Sequence, residues 1–170
     1  MQMTPMPGSD GEVWRGIVDV GDCHLNVALD GSSKAPPLML SNSLGSDLTM
    51  WDPQLAAFSG RFRVIRYDSR GHGKSDVPEG PYSMERLGRD AVAVLDHLGI
   101  QKTNWCGLSM GGMAGQWLGA HAPSRIDKLI LSNTTSYYAD KSPWTNRIRS
   151  SQRHRGDSGS VHGTLVQRRI

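Results

Sequence analysis

The amino-acid sequence predicts an α/β fold, a mostly parallel sheet with helices on both faces. Three observations carry this. Short apolar runs alternate with stretches of helical spacing through the first 146 residues, and that alternation is the signature of strand–helix–strand units. Ser83 precedes Met84, Leu87, Ala91, Val94, Leu95 and Leu98, with Gly99 at the stop position, so a capped amphipathic helix is expected there. Finally, Gly107-Leu108-Ser109-Met110-Gly111 joins an apolar run to a second helical segment, the strand–turn–helix context that a G-x-S-x-G motif requires.

Taken in order, HLNVALDG (24–31) alternates apolar and polar residues and ends in Asp-Gly, so it reads as a strand and turn of an N-terminal hairpin. The apolar run PLMLSNS then leads into a loop. Leu48, Trp51, Leu55 and Phe58 recur at helical spacing, and RFRVIRYD reads as a buried strand. After the helix that begins at Ser83, TNWCG is a short strand, Met110 to Ala120 a helix ended near Pro123, and DKLILSN a last strand. Residues 147–170 carry only Ile148, Val161, Leu165, Val166 and Ile170 as large apolar groups and show no period, so a disordered tail is expected. The expected organisation is a partial α/β domain over 1–146 and a disordered or out-of-frame tail over 147–170. There is no internal repeat.

A chain of 170 residues with 37% apolar content holds one core. Its net charge of +3 is unevenly placed: six of the 19 basic residues and one of the 16 acidic ones lie in 147–170, which leaves the rest at −2. The basic character belongs to the tail, and no nucleic-acid-binding face is expected on the body. No run of eighteen apolar residues and no basic-then-apolar leader is present, so the expectation is a cytoplasmic protein with no membrane partner. Cys23 and Cys106 lack CxxC spacing and lie in strand-like segments, which argues for buried thiols rather than a zinc site or disulfide.

The chemistry centres on Ser109. A strained turn would expose its Oγ at the carboxyl end of the sheet, and a side chain at 107 or 111 would strike neighbouring backbone. The helix start places the Met110 N–H where charge develops on a carbonyl oxygen. A second donor is expected from SNSLGSD (41–47), with the Leu44 N–H chosen. YDSRGHGKSD suggests a phosphate loop but fails the test: Asp68 stands where the Walker pattern needs glycine, and Asp76 where G-x-G-x-x-G does. A tight, hydrogen-bonded loop is expected instead, with His72 structural. Trp144, Tyr137 and Tyr138 follow the last strand and are read as packing more readily than as a substrate wall. RGDS (155–158) sits in the biased tail and is given no weight.

SNSLGSDLTMWDPQLAAFSGRFRVIRYDSRGHGKSD followed by CGLSMGGM resembles the α/β-hydrolase superfamily, and within it the 3-oxoadipate enol-lactonases of the β-ketoadipate pathway of aromatic catabolism. The likeness runs from about Gly21 to about Asn146. NSLG in place of the commoner His-Gly pair favours the lactonase group, although haloperoxidase-like esterases share most of these residues. The resemblance implies hydrolysis of a small lactone or ester without cofactor or metal: Ser109 attacks the carbonyl, the Leu44 and Met110 amides hold the oxyanion, and water resolves the acyl-enzyme.

In that superfamily an acid and then a histidine follow the serine in sequence, and such domains need roughly 200 to 250 residues. His121 ends the helix that Ser109 begins, about 18 Å away at 1.5 Å per residue. His154 and His162 lie in the unpatterned tail, and Asp127 and Asp140 match no acid position of the superfamily. The resemblance therefore implies a chain ending before the cap and last strands, expected to be inactive. The abrupt change near Arg147 suggests a frameshifted or truncated lactonase. The alternative is a non-catalytic fragment or binding module on a hydrolase core. DKLILSN is expected to be an uncovered apolar edge.

Overall fold

The computed structural model describes residues 13–137. Tyr138, Asp140, Trp144, the 147–170 tail, His154, His162 and the RGDS stretch all lie outside the described residues. The elements are β1 (Trp14–Asp19), β2 (His24–Asp30), β3 (Pro37–Ser41), a 3-10 turn (Leu48–Trp51) running into α1 (Asp52–Phe58), β4 (Arg63–Tyr67), α2 (Met84–His97), β5 (Thr103–Leu108), α3 (Met110–His121) and β6 (Ile126–Ser132). The six strands form one sheet in the order β1-β2-β4-β3-β5-β6. β1 and β2 run antiparallel to their neighbours, whereas β4, β3, β5 and β6 are mutually parallel.

The side-chain period of two sorts this sheet into faces. Met39, Ile65 and Trp105 join Leu25 and Val27 in the larger core beneath α2 and α3, while Leu38, Leu40 and Val64 turn to the other face beneath Trp51, Leu55 and Phe58. α2 forms as its sequence demands. Ser83 Oγ accepts the Arg86 N–H at 3.1 Å, Leu87, Ala91, Val94 and Leu95 are buried, and Gly99 turns the chain at φ +66. α3 is built differently, with glycines in place of large side chains. A Cβ at Gly115 would lie 2.5 Å from Trp105 Nε1, so the missing side chain is what lets the helix lie close on β5.

Three expectations need correction. The hairpin turn is Val20–Cys23, closed by Val20 N–H to Cys23 O at 2.9 Å. Asp30-Gly31 instead leaves the hairpin for β3, because β2 pairs with β4 on its other side. There Gly31 stands at φ +88 against the Phe62 carbonyl, a conformation that favours glycine in a crossover as much as in a hairpin. The Leu48–Phe58 segment splits into a 3-10 turn and a helix, since Asp47 caps the turn through Thr49 N–H at 2.9 Å. Finally, Cys23 lies just before β2 and Cys106 is only partly buried. Burial pushes the Cys23 thiol up to about 11.

β6 lies at the sheet edge with Ile130 57% exposed, in accord with the apolar edge expected for DKLILSN. Leu129 and Leu131 turn toward Gly119 and Gly115 of α3, whereas Ile130, of opposite parity, faces the side where α1 lies over β3 and β4. Among the described residues no helix is long and apolar enough to cross a membrane.

Candidate active site

Ser109 occupies the turn between β5 and α3 at φ 53, ψ −110, a conformation costing a residue with a Cβ about 1–3 kcal/mol. The surroundings hold it there. Its N–H donates to Ser132 O at 2.9 Å, its carbonyl accepts the Met113 N–H at 3.0 Å, and the same carbonyl accepts Thr134 Oγ1–H at 2.8 Å. The flanking glycines are required for the reason expected. A Cβ at Gly107 would lie 2.2 Å from Gly111 O, and one at Gly111 would lie 2.3 Å from Ser41 O.

With its backbone tied down, the serine side chain has no hydrogen-bond partner among the described residues. Ser109 is partly exposed and caps no α3 amide. Because all four strands from β4 to β6 run in parallel and α3 starts where β5 ends, Ser109 stands at the carboxyl edge of the sheet. Met110, the first residue of α3, has no intrahelical acceptor for its N–H. That group and the positive end of the helix dipole lie one bond from Ser109.

The loop after β3 meets this turn directly. Gly111 N–H donates to Asn42 O at 3.0 Å, and Gly111 Cα lies against Ser41, so the segment carrying Leu44 is held beside the elbow. The Leu44 N–H has no acceptor among the described residues, and its side chain packs on the larger core. Next to it, the Ser43 N–H points at Met50 Sδ at 3.4 Å, a weak acceptor. Of the residues singled out in the sequence, Ser109 and Met110 are adjacent at the elbow, and Leu44 lies two residues beyond Asn42, whose carbonyl is bonded to Gly111.

The histidines do not join them. Among the described residues these are His24, His72, His97 and His121. His97 and His121 close α2 and α3, at the ends remote from the elbow; His121 stacks on Trp117 with ring centroids 4.9 Å apart. His72 Nδ1 lies 3.1 Å from Arg70 O. His24 does pair with a carboxylate, Asp76, at 2.7 Å. That pair extends β2, three strand positions from β5 and therefore about 14 Å across the sheet. Also among the described residues, no group of three or more potential metal ligands gathers.

GHGKS is the tight, hydrogen-bonded loop its sequence suggested, organised around Asp68, although His72 Nε2 is buried without a partner among the described residues. Asp68 accepts Leu48 N–H at 2.7 Å, Lys74 N–H at 2.8 Å and Asn26 Nδ2–H at 2.9 Å. Ser75 Oγ–H donates to Asp68 O at 2.7 Å and accepts Asn26 N–H at 2.9 Å. A carboxylate so occupied at the loop's centre leaves no room or charge for a phosphate.

Sequence reasoning missed Ser41, Asn42 and Thr134, which build the site's support. Their one visible sign is the polar Ser-Asn pair closing the apolar run PLML. Both residues are 1% exposed.

A serine raised on a strand-to-helix turn, at the carboxyl edge of a parallel sheet covered by helices, is the local structure that G-x-S-x-G forms in the α/β hydrolases. The model of the alpha/beta hydrolase fold matches residues 36–153, and the chain belongs to that family. It is 46% identical over 126 residues to 3-oxoadipate enol-lactonase 2 of Acinetobacter baylyi, covering 74% of this chain and 47% of that one. With 3-oxoadipate enol-lactonase 1 of the same organism it shares 41% over 123 residues, 72% and 46% of the two chains. The crystal structure of the enol-lactonase from Burkholderia xenovorans LB400 superposes with a TM-score of 0.77 at 43% identity, over 80% of this chain and 53% of that one. The chain spans about half the length of the relatives it matches.

Proposed function

We propose that this chain carries the nucleophile and oxyanion donors of a serine hydrolase acting on carboxylic esters, with an enol lactone of the 3-oxoadipate type in aromatic catabolism as substrate. The single observation that supports this most is Ser109 at positive φ, with its backbone fully bonded and its hydroxyl left free beside the Met110 and Leu44 amides. Ser109 Oγ attacks the ring carbonyl, the carbonyl oxygen gathers negative charge between the two amides, and the enol oxygen leaves as the ring opens. Water then cleaves the acyl-enzyme to the open-chain keto acid. Opposed N–H dipoles fixed before reaction are the largest catalytic contribution in such sites, each worth about 3 kcal/mol. The Ser43 N–H, held only by a thioether, is the alternative second donor in the same loop. No cofactor or metal enters this chemistry, the partner is a small molecule, and the reading places the protein in the cytoplasm without nucleic-acid or membrane partners.

Turnover also needs a base. None of the four described histidines stands beside Ser109, so this chain by itself is proposed to be inactive; the alternative is a non-catalytic fragment or binding module on a hydrolase core. Supplying the purified chain with enol lactone and with aryl esters separates the two. At most one equivalent of acylation at Ser109, with preference for the lactone, supports the hydrolase reading; no acylation supports the non-catalytic one, and sustained release of keto acid would contradict the inactivity proposed for this chain.

A further inference from the structure

Asn42 joins three parts of the site through three groups of one small residue. Its side-chain Nδ2–H donates to Tyr67 O at the end of β4 at 2.8 Å, and its Oδ1 accepts the Trp51 Nε1–H at 2.9 Å. Its own carbonyl accepts the Gly111 N–H of the first turn of α3 at 3.0 Å. The residue and Trp51 are both buried, at 1% and 8% exposure. Immediately beyond it come the Ser43 and Leu44 amides, and then Gly45 at φ +75.

Resting on the serine-hydrolase reading above, we propose that Asn42 is a positioning residue that sets the oxyanion loop against the elbow. It touches no reacting atom. The loop's own bonds are local: Ser46 Oγ–H donates to Ser43 O at 2.7 Å, and the Ser43 N–H has only the thioether Met50 Sδ, at 3.4 Å. Leu48 N–H ties the far end of the loop to Asp68 at 2.7 Å, and the Asn42 amide references its near end, next to the Ser43 and Leu44 amides, gripping the β4 terminus on one side and a buried indole on the other. Only a side chain with a donor and an acceptor at this reach can do so. Aspartate would face the Tyr67 carbonyl with a like partial charge, and an aliphatic residue would leave the Trp51 N–H and the Tyr67 carbonyl unpaired in the interior. An error of about 1 Å in a positioning contact can cost about a hundredfold in rate, so the effect of this clamp is large enough to read.

The test compares two reagents on the full chain: an alkyl fluorophosphonate and its P=S analogue. Both form an Oγ–P bond at Ser109 with loss of fluoride and of the hydroxyl proton, but sulfur accepts hydrogen bonds poorly. The P=O/P=S rate ratio, referred to that for hydroxide in water, therefore reports alignment of the oxyanion donors. Asn42→Asp and Trp51→Phe are each expected to lower the ratio, by about tenfold and severalfold respectively, while the P=S rate moves little. A merely structural role lowers the melting temperature or both rates together and leaves the ratio unchanged, and that result would overturn the proposal. If Asn42→Asp does not fold, Trp51→Phe decides the matter alone, because phenyl keeps the buried ring and removes only the N–H. Failure of the parent chain to react at Ser109 with either reagent would instead remove the serine reading, and this inference with it.

Discussion

Two glycine-containing loops leave the carboxyl edge of the same sheet and spend their polar groups in opposite ways. The loop after β4 gathers its backbone around one carboxylate: Asp68 receives three N–H donors, and Gly73 passes so close that a Cβ would lie 2.2 Å from Asp68 Oδ2. The turn after β5 does the reverse. Its backbone is anchored at Ser132, Thr134, Met113 and Asn42, yet the serine that pays for the strain in φ and ψ keeps its hydroxyl free, next to amides without acceptors. Among the described residues, one loop satisfies its central carboxylate and the other anchors a strained serine beside amides that have no acceptor, and it is on this difference that the proposed chemistry rests.

The contrast can be broken most severely at Gly111. Gly111→Ala drives a Cβ into the Ser41 carbonyl and separates the elbow from the oxyanion loop; a loss of about 3 kcal/mol in urea denaturation is expected, together with loss of reaction at Ser109. In the other loop, Asp68→Ala leaves three donors unpaired and is expected to cost about 2 to 3 kcal/mol, while the molecules that remain folded still react at Ser109. Loss of that reaction at unchanged stability would mean that the two loops are not separate in role.

Ser109→Gly sharpens the same comparison from the opposite side. Relief of the positive φ is expected to raise stability by about 1 kcal/mol, whereas a glycine cannot restore anything in the loop after β4. The smallest effect is at Asp76, whose carboxyl is held below the usual aspartate range by the backbone N–H of His24 and then by its ring. A depressed carboxylate contributes stability above the unfolded value near 3.9, and the contribution is lost as pH falls through the lower folded value. Asp76→Asn is therefore expected to be slightly less stable than the parent above about pH 4 and to converge with it in stronger acid, as followed by thermal melts.

How much of this was legible in the sequence depended on whether the cause was local. α2 could be read almost to the residue because Ser83, the apolar period and Gly99 act within one helix. The elbow could be read because Gly107 and Gly111 flank Ser109 in sequence. The hairpin turn was misplaced because Asp30-Gly31 satisfies turn chemistry at any change of direction, and only pairing of β2 with β4 decides which. Asn42 escaped notice for the same kind of reason: its partners Tyr67, Trp51 and Gly111 are distant in sequence, and a lone Asn after an apolar run looks like the start of any loop. The edge at β6 was foreseen from DKLILSN, but that Ile130 rather than Leu129 or Leu131 is the most exposed follows from which face α3 covers.

The account stands or falls on whether Ser109 is a nucleophile. The direct measurement is intact-protein mass spectrometry after brief exposure to an alkyl fluorophosphonate, with the adduct mapped to a residue and Ser109→Ala as the control. One adduct, on Ser109 and absent from the control, is the predicted result. No adduct, or adducts spread over other hydroxyls and unchanged in Ser109→Ala, would contradict it.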